Sequence, residues 1–374
     1  MPILANHLAH LQDLRGRGRL RSLIPTSGID FSSNDYLGLA SSPRLSDAVG
    51  QALARGVPIG SGGSRLLRGN HEEHEALEAE AAAFFGAEAA LYFSSGYTAN
   101  AALLSTLPQR GDLVVHDALI HASAHEGMRL GRAQLMSAEH NDIQAFEDAI
   151  LAWRKAGGVG RPWIAVESLY SMDGDRAPLS ELAELASVHD GFLLIDEAHA
   201  SGVFGLSGRG LADGLEGSEN VVTLRTCGKA LGCEGALVCC GLALRDFLIN
   251  RGRSFIFSTA PSPLMASAVR EALRIVAEEP ERRERLWALV VKAEQALARC
   301  GVAPTGSQIL SLVIGDDVST MRVAAAIQAA GFDVRGIRPP TVPAGTSRLR
   351  ISLTLNASSS DVEALADALE EALR

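Results

Sequence analysis

Lysine is nearly missing from this chain of 374 residues: of its 34 basic residues only Lys155, Lys229 and Lys292 are lysines. Chemistry that needs a primary amine therefore has three candidates. An excess of basic charge is absent as well. The formal net charge of −10 and a pI near 5.5 argue against nucleic acid or an anionic membrane surface as the main partner. Such a protein binds an anionic ligand with a few placed groups, not with a global field. Cysteine is sparse; Cys227, Cys233, Cys239, Cys240 and Cys300 are odd in number and form no paired C-x-x-C framework, so reduced thiols in a cytoplasmic protein are expected. No apolar run approaches the ~20 residues of a membrane span. Met1 to Ala9 lacks a basic segment leading into an apolar core, so no leader is expected.

What remains is ordinary for a soluble globular chain, with 47% hydrophobic and 21% charged residues, and its length suits two packed lobes. Apolar runs at 89–93, 113–116, 163–167, 192–196, 221–226 and 236–241 alternate with amphipathic stretches at 72–85, 141–155 and 180–190. Asn141 and Ser180 are the expected caps of the last two. Strands buried on both faces read as continuous apolar runs, and alternation with helices implies a mostly parallel α/β sheet. After about residue 261 the pattern changes to a long helix at 281–299, apolar runs at 309–314, 334–338 and 349–353, and helices at 318–330 and 360–373. The reading is an N-terminal segment (1–45), a large α/β domain (46–260) and a small C-terminal α+β domain (261–374).

Ligands of open α/β sheets sit beyond the carboxyl ends of the strands. There the sequence places Ser94-Ser95-Gly96-Tyr97, His116-Asp117 with His121, Glu167 with Ser171, Asp196-Glu197-Ala198-His199, and Thr226-Cys227-Gly228-Lys229. Each alone is a common turn; five on consecutive strand ends are a constellation. Lys155 and Lys292 lie in helical patterns and read as solvated. Lys229 alone follows a buried strand, between Gly228 and Ala230. A partly desolvated lysine has a lowered pKa and forms an imine with a carbonyl; the plainer role is a counter-ion for phosphate or carboxylate. The other clusters complete the needs of pyridoxal phosphate. Asp196 suits a protonated pyridine nitrogen. Ser95-Gly96-Tyr97 at a helix start, with Thr226, suits the phosphate. His121 suits the ring face, against the plainer reading of a helix-surface histidine spaced i, i+4 from His125.

Two other patterns resolve against function. Asp196-Glu197-Ala198-His199 reads like an ATPase acidic box, but the required G-x-x-x-x-G-K-[ST] loop is missing upstream, and the one Gly-Lys pair, Gly228-Lys229, lies downstream. His71-Glu72-Glu73-His74 is not H-E-x-x-H and fits an exposed helix face.

The motifs Phe31-Ser32-Ser33-Asn34-Asp35-Tyr36-Leu37-Gly38-Leu39, Gly60-Ser61-Gly62-Gly63-Ser64, Ser171-Met172-Asp173-Gly174-Asp175, Asp196-Glu197-Ala198-His199 and Thr226-Cys227-Gly228-Lys229 occur in this order. Together with the segment from Ile337 to Arg350 they resemble the α-oxoamine synthase family across nearly the whole chain. The resemblance implies an aspartate-aminotransferase-like (fold type I) architecture and a pyridoxal-phosphate-dependent acyltransferase. It makes Lys229 the imine lysine, Asp196 the pyridine-nitrogen partner and His121 the ring-stacking residue that also faces substrate. It places Gly96 and Tyr97 at the cofactor, with Ser171, His199 and Thr226 bonding its ring oxygen or phosphate. Arg350 would hold the amino-acid carboxylate and Thr341 would line the acyl side. Arg21 matches an N-terminal substrate arginine, with Arg15, Arg17 and Arg19 as rivals because the stretch before Phe31 is short and a hairpin is expected to be missing. The segment 337–350 points to the family's biotin-pathway branch. That branch implies decarboxylating condensation of L-alanine with a pimeloyl thioester, on CoA or acyl carrier protein, in a homodimer with shared active sites. The alternatives are the family's condensation of glycine with a short acyl-CoA, and a non-catalytic binding protein on the same fold.

Overall fold

The computed structural model describes residues 3–374 and divides into two compact units. The larger comprises residues 37–171 and 176–283. The smaller comprises the N-terminal residues up to Tyr36, residues 172–175 and residues 284–374. The strands among the described residues are β1 (Ile29–Asp30), β2 (Ala89–Phe93), β3 (Leu113–Asp117), β4 (Gln134–Ala138), β5 (Pro162–Glu167), β6 (Phe192–Asp196), β7 (Val221–Thr226), β8 (Ala236–Cys240), β9 (Ile309–Gly315), β10 (Phe332–Asp333), β11 (Arg335–Ile337) and β12 (Ser347–Ser352).

In the larger unit β2 to β8 form one sheet in the order β2-β8-β7-β6-β5-β3-β4. Neighbours from β7 through β4 run parallel, and β8 alone is antiparallel to both its neighbours. The period of two along each strand splits the apolar runs between the two faces. Leu113, Val115, Ile164, Val166, Leu193 and Ile195 pack on one side with Phe146, Ile150, Trp153 and Leu182. Val114, Ala165, Leu194 and Val222 pack on the other with Leu103, Leu104 and Met128. Each such side chain contributes about 1.5–3 kcal/mol on burial, which makes this sheet a rigid base for the turns at its carboxyl edge.

Three local expectations are corrected. The edge strand β4 was not anticipated, because its exposed Gln134 and Leu135 give no apolar run. Asp142, not Asn141, caps the Ile143–Lys155 helix, its Oδ1 accepting from Ala145 N at 3.2 Å; Asn141 instead adopts φ 56°. Ser180 lies inside the Leu179–Val188 helix, whose N-cap is Pro178 with no side-chain hydrogen bond.

In the smaller unit β11, β12 and β9 form an antiparallel sheet with β12 in the centre. Two helices, Asp317–Ala329 and Ser359–Leu373, accompany it, the second opened by a Ser358/Asp361 capping box. β1 pairs in parallel with β10. Between the Ala5–Gly16 helix and β1 the chain forms no strand. The Pro263–Glu278 helix packs in the larger unit against the Glu72–Phe85 and Pro43–Ala54 helices, so the change of pattern near residue 261 precedes the change of unit.

Candidate active site

The carboxyl ends of β2, β3, β5, β6 and β7 carry the polar clusters, and the larger unit links them by hydrogen bonds and charge. Asp196, the last residue of β6, is 6% exposed. Its Oδ1 accepts from Ala198 N at 3.0 Å and its Oδ2 from Asn100 Nδ2 at 2.8 Å. Asn100 projects from the Gly96–Thr106 helix that follows β2, and its amide also donates to Ser123 Oγ at 2.9 Å. Ser123 in turn lies 2.8 Å from His121 Nδ1, which also accepts from Ser123 N at 3.2 Å. Nδ1 is therefore an acceptor, and the ring proton sits on Nε2. His121 is the N-cap of the Ala122–Leu130 helix. Its side chain is solvent-exposed at the start of that helix, so the plainer helix-surface reading stands beside the cofactor reading. Although the residue is exposed overall, partial desolvation of its ring holds the imidazole below the ordinary value; the Asp196 carboxylate opposes this shift and the charge of Lys229 adds to it. Among the described residues, Asn100 thus ties the buried Asp196 carboxylate, through Ser123, to the exposed His121 imidazole. Asn100 and Ser123 carried no sequence signal, being small polar residues inside Ala-rich helices.

Lys229, half-buried, lies in the β7–β8 connection and is within electrostatic reach of both His121 and Glu167. Gly232, at φ 61°, turns the same connection tightly; a Cβ there would stand 2.4 Å from Ala40 N. Thr226, the last residue of β7, donates from Oγ1 to Ala198 O at 3.3 Å. Its Cγ2 would lie 2.6 Å from a Cβ on Gly96, so only glycine lets the start of this helix approach the end of β7. Ser95 caps that helix, its Oγ accepting from Thr98 N at 3.1 Å. His199 is buried, Ser171 is half-buried and Tyr97 is 54% exposed. Glu197 turns away to the buried Arg225 guanidinium, 3.3 Å off, and the acidic box is split between two tasks.

The residues fit pyridoxal phosphate on the chemistry of the donor set. A carboxylate held in a dry site by two neutral N–H groups is suited to a pyridinium proton. An eleven-residue helix that begins Ser95-Gly96 presents unpaired backbone N–H groups, suited to phosphate.

In the smaller unit Arg350 is 7% exposed, held by Ser352 Oγ at 2.5 Å, Asn34 Oδ1 at 3.0 Å and Tyr36 OH at 3.4 Å. Arg348 is as deeply buried and is ion-paired with Asp173. Both sit on the central strand of this sheet. Arg21 donates to Thr341 Oγ1 at 3.3 Å, whereas Arg17 pairs with Asp13 and Arg19 with Asp317.

His74 corrects another expectation. It is 0% exposed, not on a solvated helix face, and its Nε2 lies 2.9 Å from Pro261 O. His71 Nδ1 caps the same helix. No group of three or more His, Cys, Asp or Glu among the described residues could hold a metal ion. The Gly60–Ser64 loop is bonded to the Ser258–Pro261 segment, Ser61 Oγ donating to Ala260 O at 2.7 Å and Ala260 N to Gly63 O at 2.9 Å.

Residues 26–369 match the family model of class I and II aminotransferases. An 8-amino-7-oxononanoate synthase of Anaeromyxobacter sp. (strain K) is 42% identical over 381 residues, covering 98% of this chain and 94% of the relative. Its counterpart in Burkholderia thailandensis is 44% identical over 351 residues, covering 91% and 88%. Among solved structures, serine palmitoyltransferase of Sphingomonas wittichii superposes with a TM-score of 0.88 at 28% identity, covering 100% of this chain and 98% of that one. The 8-amino-7-oxononanoate synthase of Francisella tularensis gives 0.79 at 27%, covering 93% and 98%. A high-resolution structure of SPT with its PLP internal aldimine gives 0.89 at 27%, covering 99% and 97%. The fold is that of the type I aminotransferases. The chain belongs to the aminotransferase class I and II family, in its α-oxoamine synthase branch.

Proposed function

We propose that this chain is a pyridoxal-phosphate-dependent acyltransferase that condenses L-alanine with a pimeloyl thioester, releasing the thiol and CO2 and forming 8-amino-7-oxononanoate for biotin. The observation that carries the reading is the Asn100-centred network, in which a buried acid held by N–H donors and an imidazole of lowered basicity lie within electrostatic reach of Lys229. The name shared by the relatives supports the substrates.

Pyridoxal phosphate, when bound, supplies an aldehyde for Lys229 and an electron-withdrawing ring that stabilises negative charge at the amino acid's α-carbon. Asp196 keeps the pyridine nitrogen protonated. Gly96 and Tyr97 would lie at the cofactor, and Ser171, His199 and Thr226 would bond its ring oxygen or phosphate. Lys229 takes and returns the α-proton. His121, with its proton on Nε2, would lie against the ring and would donate to carboxylate and carbonyl oxygens of the substrates as charge develops there. Arg350 takes the alanine carboxylate, and Arg21 with Thr341 meets the acyl substrate; the bond between these last two supports assigning them one task. The enzyme works in the cytoplasm as a homodimer. Its acyl carrier is CoA or acyl carrier protein. No helix among the described residues is long and apolar enough to cross a membrane.

The test is a product assay by mass spectrometry, with alanine or glycine against pimeloyl-CoA, pimeloyl-acyl carrier protein and acetyl-CoA. Formation of 8-amino-7-oxononanoate from alanine with a pimeloyl donor is expected. Turnover of glycine with acetyl-CoA alone would overturn the reading.

A further inference from the structure

Glu167 and Asp196 end adjacent parallel strands in direct register, β5 beside β6, and their environments differ sharply. Both oxygens of Asp196 accept N–H donors. Glu167 is 3% exposed and accepts the backbone N–H groups of His121 and Ser171, while its Oε1 is buried without a hydrogen-bond partner. The titratable groups around it are Asp196 on β6, Lys229 after β7, His121 before the Ala122–Leu130 helix, and Tyr170 three residues on. Burial, then the Asp196 charge, push Glu167 up to about 8, with Lys229 pulling the other way. Two like-charged carboxyls with divergent environments divide into one ionised and one protonated group.

We propose that Glu167 is a positioning residue that acts through Lys229 and His121. As a neutral carboxyl it anchors the two turns that carry His121 and Ser171, and it withholds the second negative charge that would keep Lys229 an ammonium. With Asp196 ionised, a second carboxylate beside Lys229 would favour the charged amine, which neither adds to an aldehyde nor accepts a proton. The proton of Glu167 belongs on Oε1, the oxygen left without a partner. This inference rests on Lys229 being the cofactor lysine.

The experiment compares wild-type apoenzyme with Glu167→Gln, which keeps the acceptor oxygen but cannot ionise. The rate of combination with pyridoxal phosphate is followed by absorbance between about pH 6.5 and 9.5, spanning the titration of a displaced carboxyl. In wild type the rate, which tracks uncharged Lys229, is held back above about pH 8, where Glu167 ionises. Glu167→Gln reaches its plateau at lower pH and reacts roughly threefold faster at about pH 8.5, equivalent to a shift of half a pKa unit. Superimposable profiles overturn the proposal. A second measurement on wild type needs no variant: an infrared carbonyl band of a protonated carboxyl is expected at neutral pH and lost through about pH 8, and its absence at neutral pH overturns the proposal too. Borohydride trapping separates the two readings, because a trapped peptide lacking Lys229 sinks the cofactor assignment itself.

Discussion

Asn100 donates to Asp196 Oδ2 at 2.8 Å across the gap between the Gly96–Thr106 helix and the end of β6, and the same amide reaches His121 through Ser123. A hydrogen bond to a charged acceptor is worth about 1.5–3 kcal/mol. Asn100→Ala should therefore weaken pyridoxal-phosphate binding roughly 10- to 100-fold, with the chain still folded by circular dichroism. Asn100→Asp should be worse, because it sets a second carboxylate against Asp196. Unchanged cofactor affinity in Asn100→Ala, read by equilibrium dialysis, would mean that Asp196 is held by other groups.

The scarcity of lysine makes the cofactor attachment easy to test. Borohydride reduction of the yellow holoenzyme followed by peptide mass mapping should place the adduct on Lys229. Lys229→Ala should abolish it, and Lys155→Ala and Lys292→Ala should keep it. Lys155 is exposed, and Lys292 is ion-paired with Glu363 on the surface. An adduct on either would end the assignment.

The proposed shared active site, in which the Ser258-Thr259-Ala260-Pro261 segment, by its resemblance to the family, reaches the neighbour's phosphate, gives a mixing experiment. Thr259 is exposed in the segment that the Gly60–Ser64 loop anchors. Refolding Lys229→Ala together with Thr259→Ala should yield heterodimers in which one site contains neither lesion. Activity should then exceed the mean of the two separate variants. Additive activity, or an active monomer by sedimentation, would rule the shared site out.

Arg350 and Arg348 separate binding from stability. Arg348 is committed to the Asp173 carboxylate, whereas Arg350 bonds the oxygens of Ser352, Asn34 and Tyr36. Arginine binds a carboxylate bidentately, which lysine cannot do. Arg350→Ala should keep the holoenzyme colour but weaken alanine binding by roughly 100-fold, since leaving a desolvated carboxylate unpaired costs about 2–5 kcal/mol. Arg348→Ala should lower Tm while leaving the alanine titration nearly intact. A wild-type-like titration in Arg350→Ala would move the carboxylate site elsewhere.

The strand ends were legible because β2, β3, β5, β7 and β8 are buried on both faces, so their apolar runs and the polar turns after them stand out. The polar clusters that contain Lys229 and His121 stand out in the sequence for that reason, as does Asp196 at the end of β6. β4 was not, because an edge strand with exposed residues looks like a loop. The smaller unit misled in another way. The alternation of Arg348 with Leu349 suggests an edge, yet β12 is the central strand and both residues are buried. Asn100 was invisible because helical periodicity does not say that one amide in a run of alanines turns toward a neighbouring strand.

His74 supplies a pH prediction whose sign follows from its burial. It lies in a charged helical segment yet is fully buried, its Nε2–H donating to Pro261 O while Nδ1 has no partner. Burial, with the charge of Arg65 adding, lowers its pKa from 6.5 to about 4. The unfolded chain therefore binds a proton near pH 6.5 that the folded chain refuses until about pH 4. Stability associated with neutral His74 is complete above about 6.5 and declines as pH falls toward 4, reaching a new plateau below that. At about 1.4 kcal/mol per unit the whole loss is roughly 3 kcal/mol. Urea unfolding at intervals between these pH values should show the decline in wild type. His74→Gln, whose side-chain amide can still donate to Pro261 O, should be less stable at neutral pH but show a shallower decline. Because Pro261 ends the segment that carries Ser258 and Thr259, acid should also loosen that segment, giving faster amide hydrogen exchange there in wild type before global unfolding. Parallel pH profiles for wild type and His74→Gln would show that other groups set the acid limb.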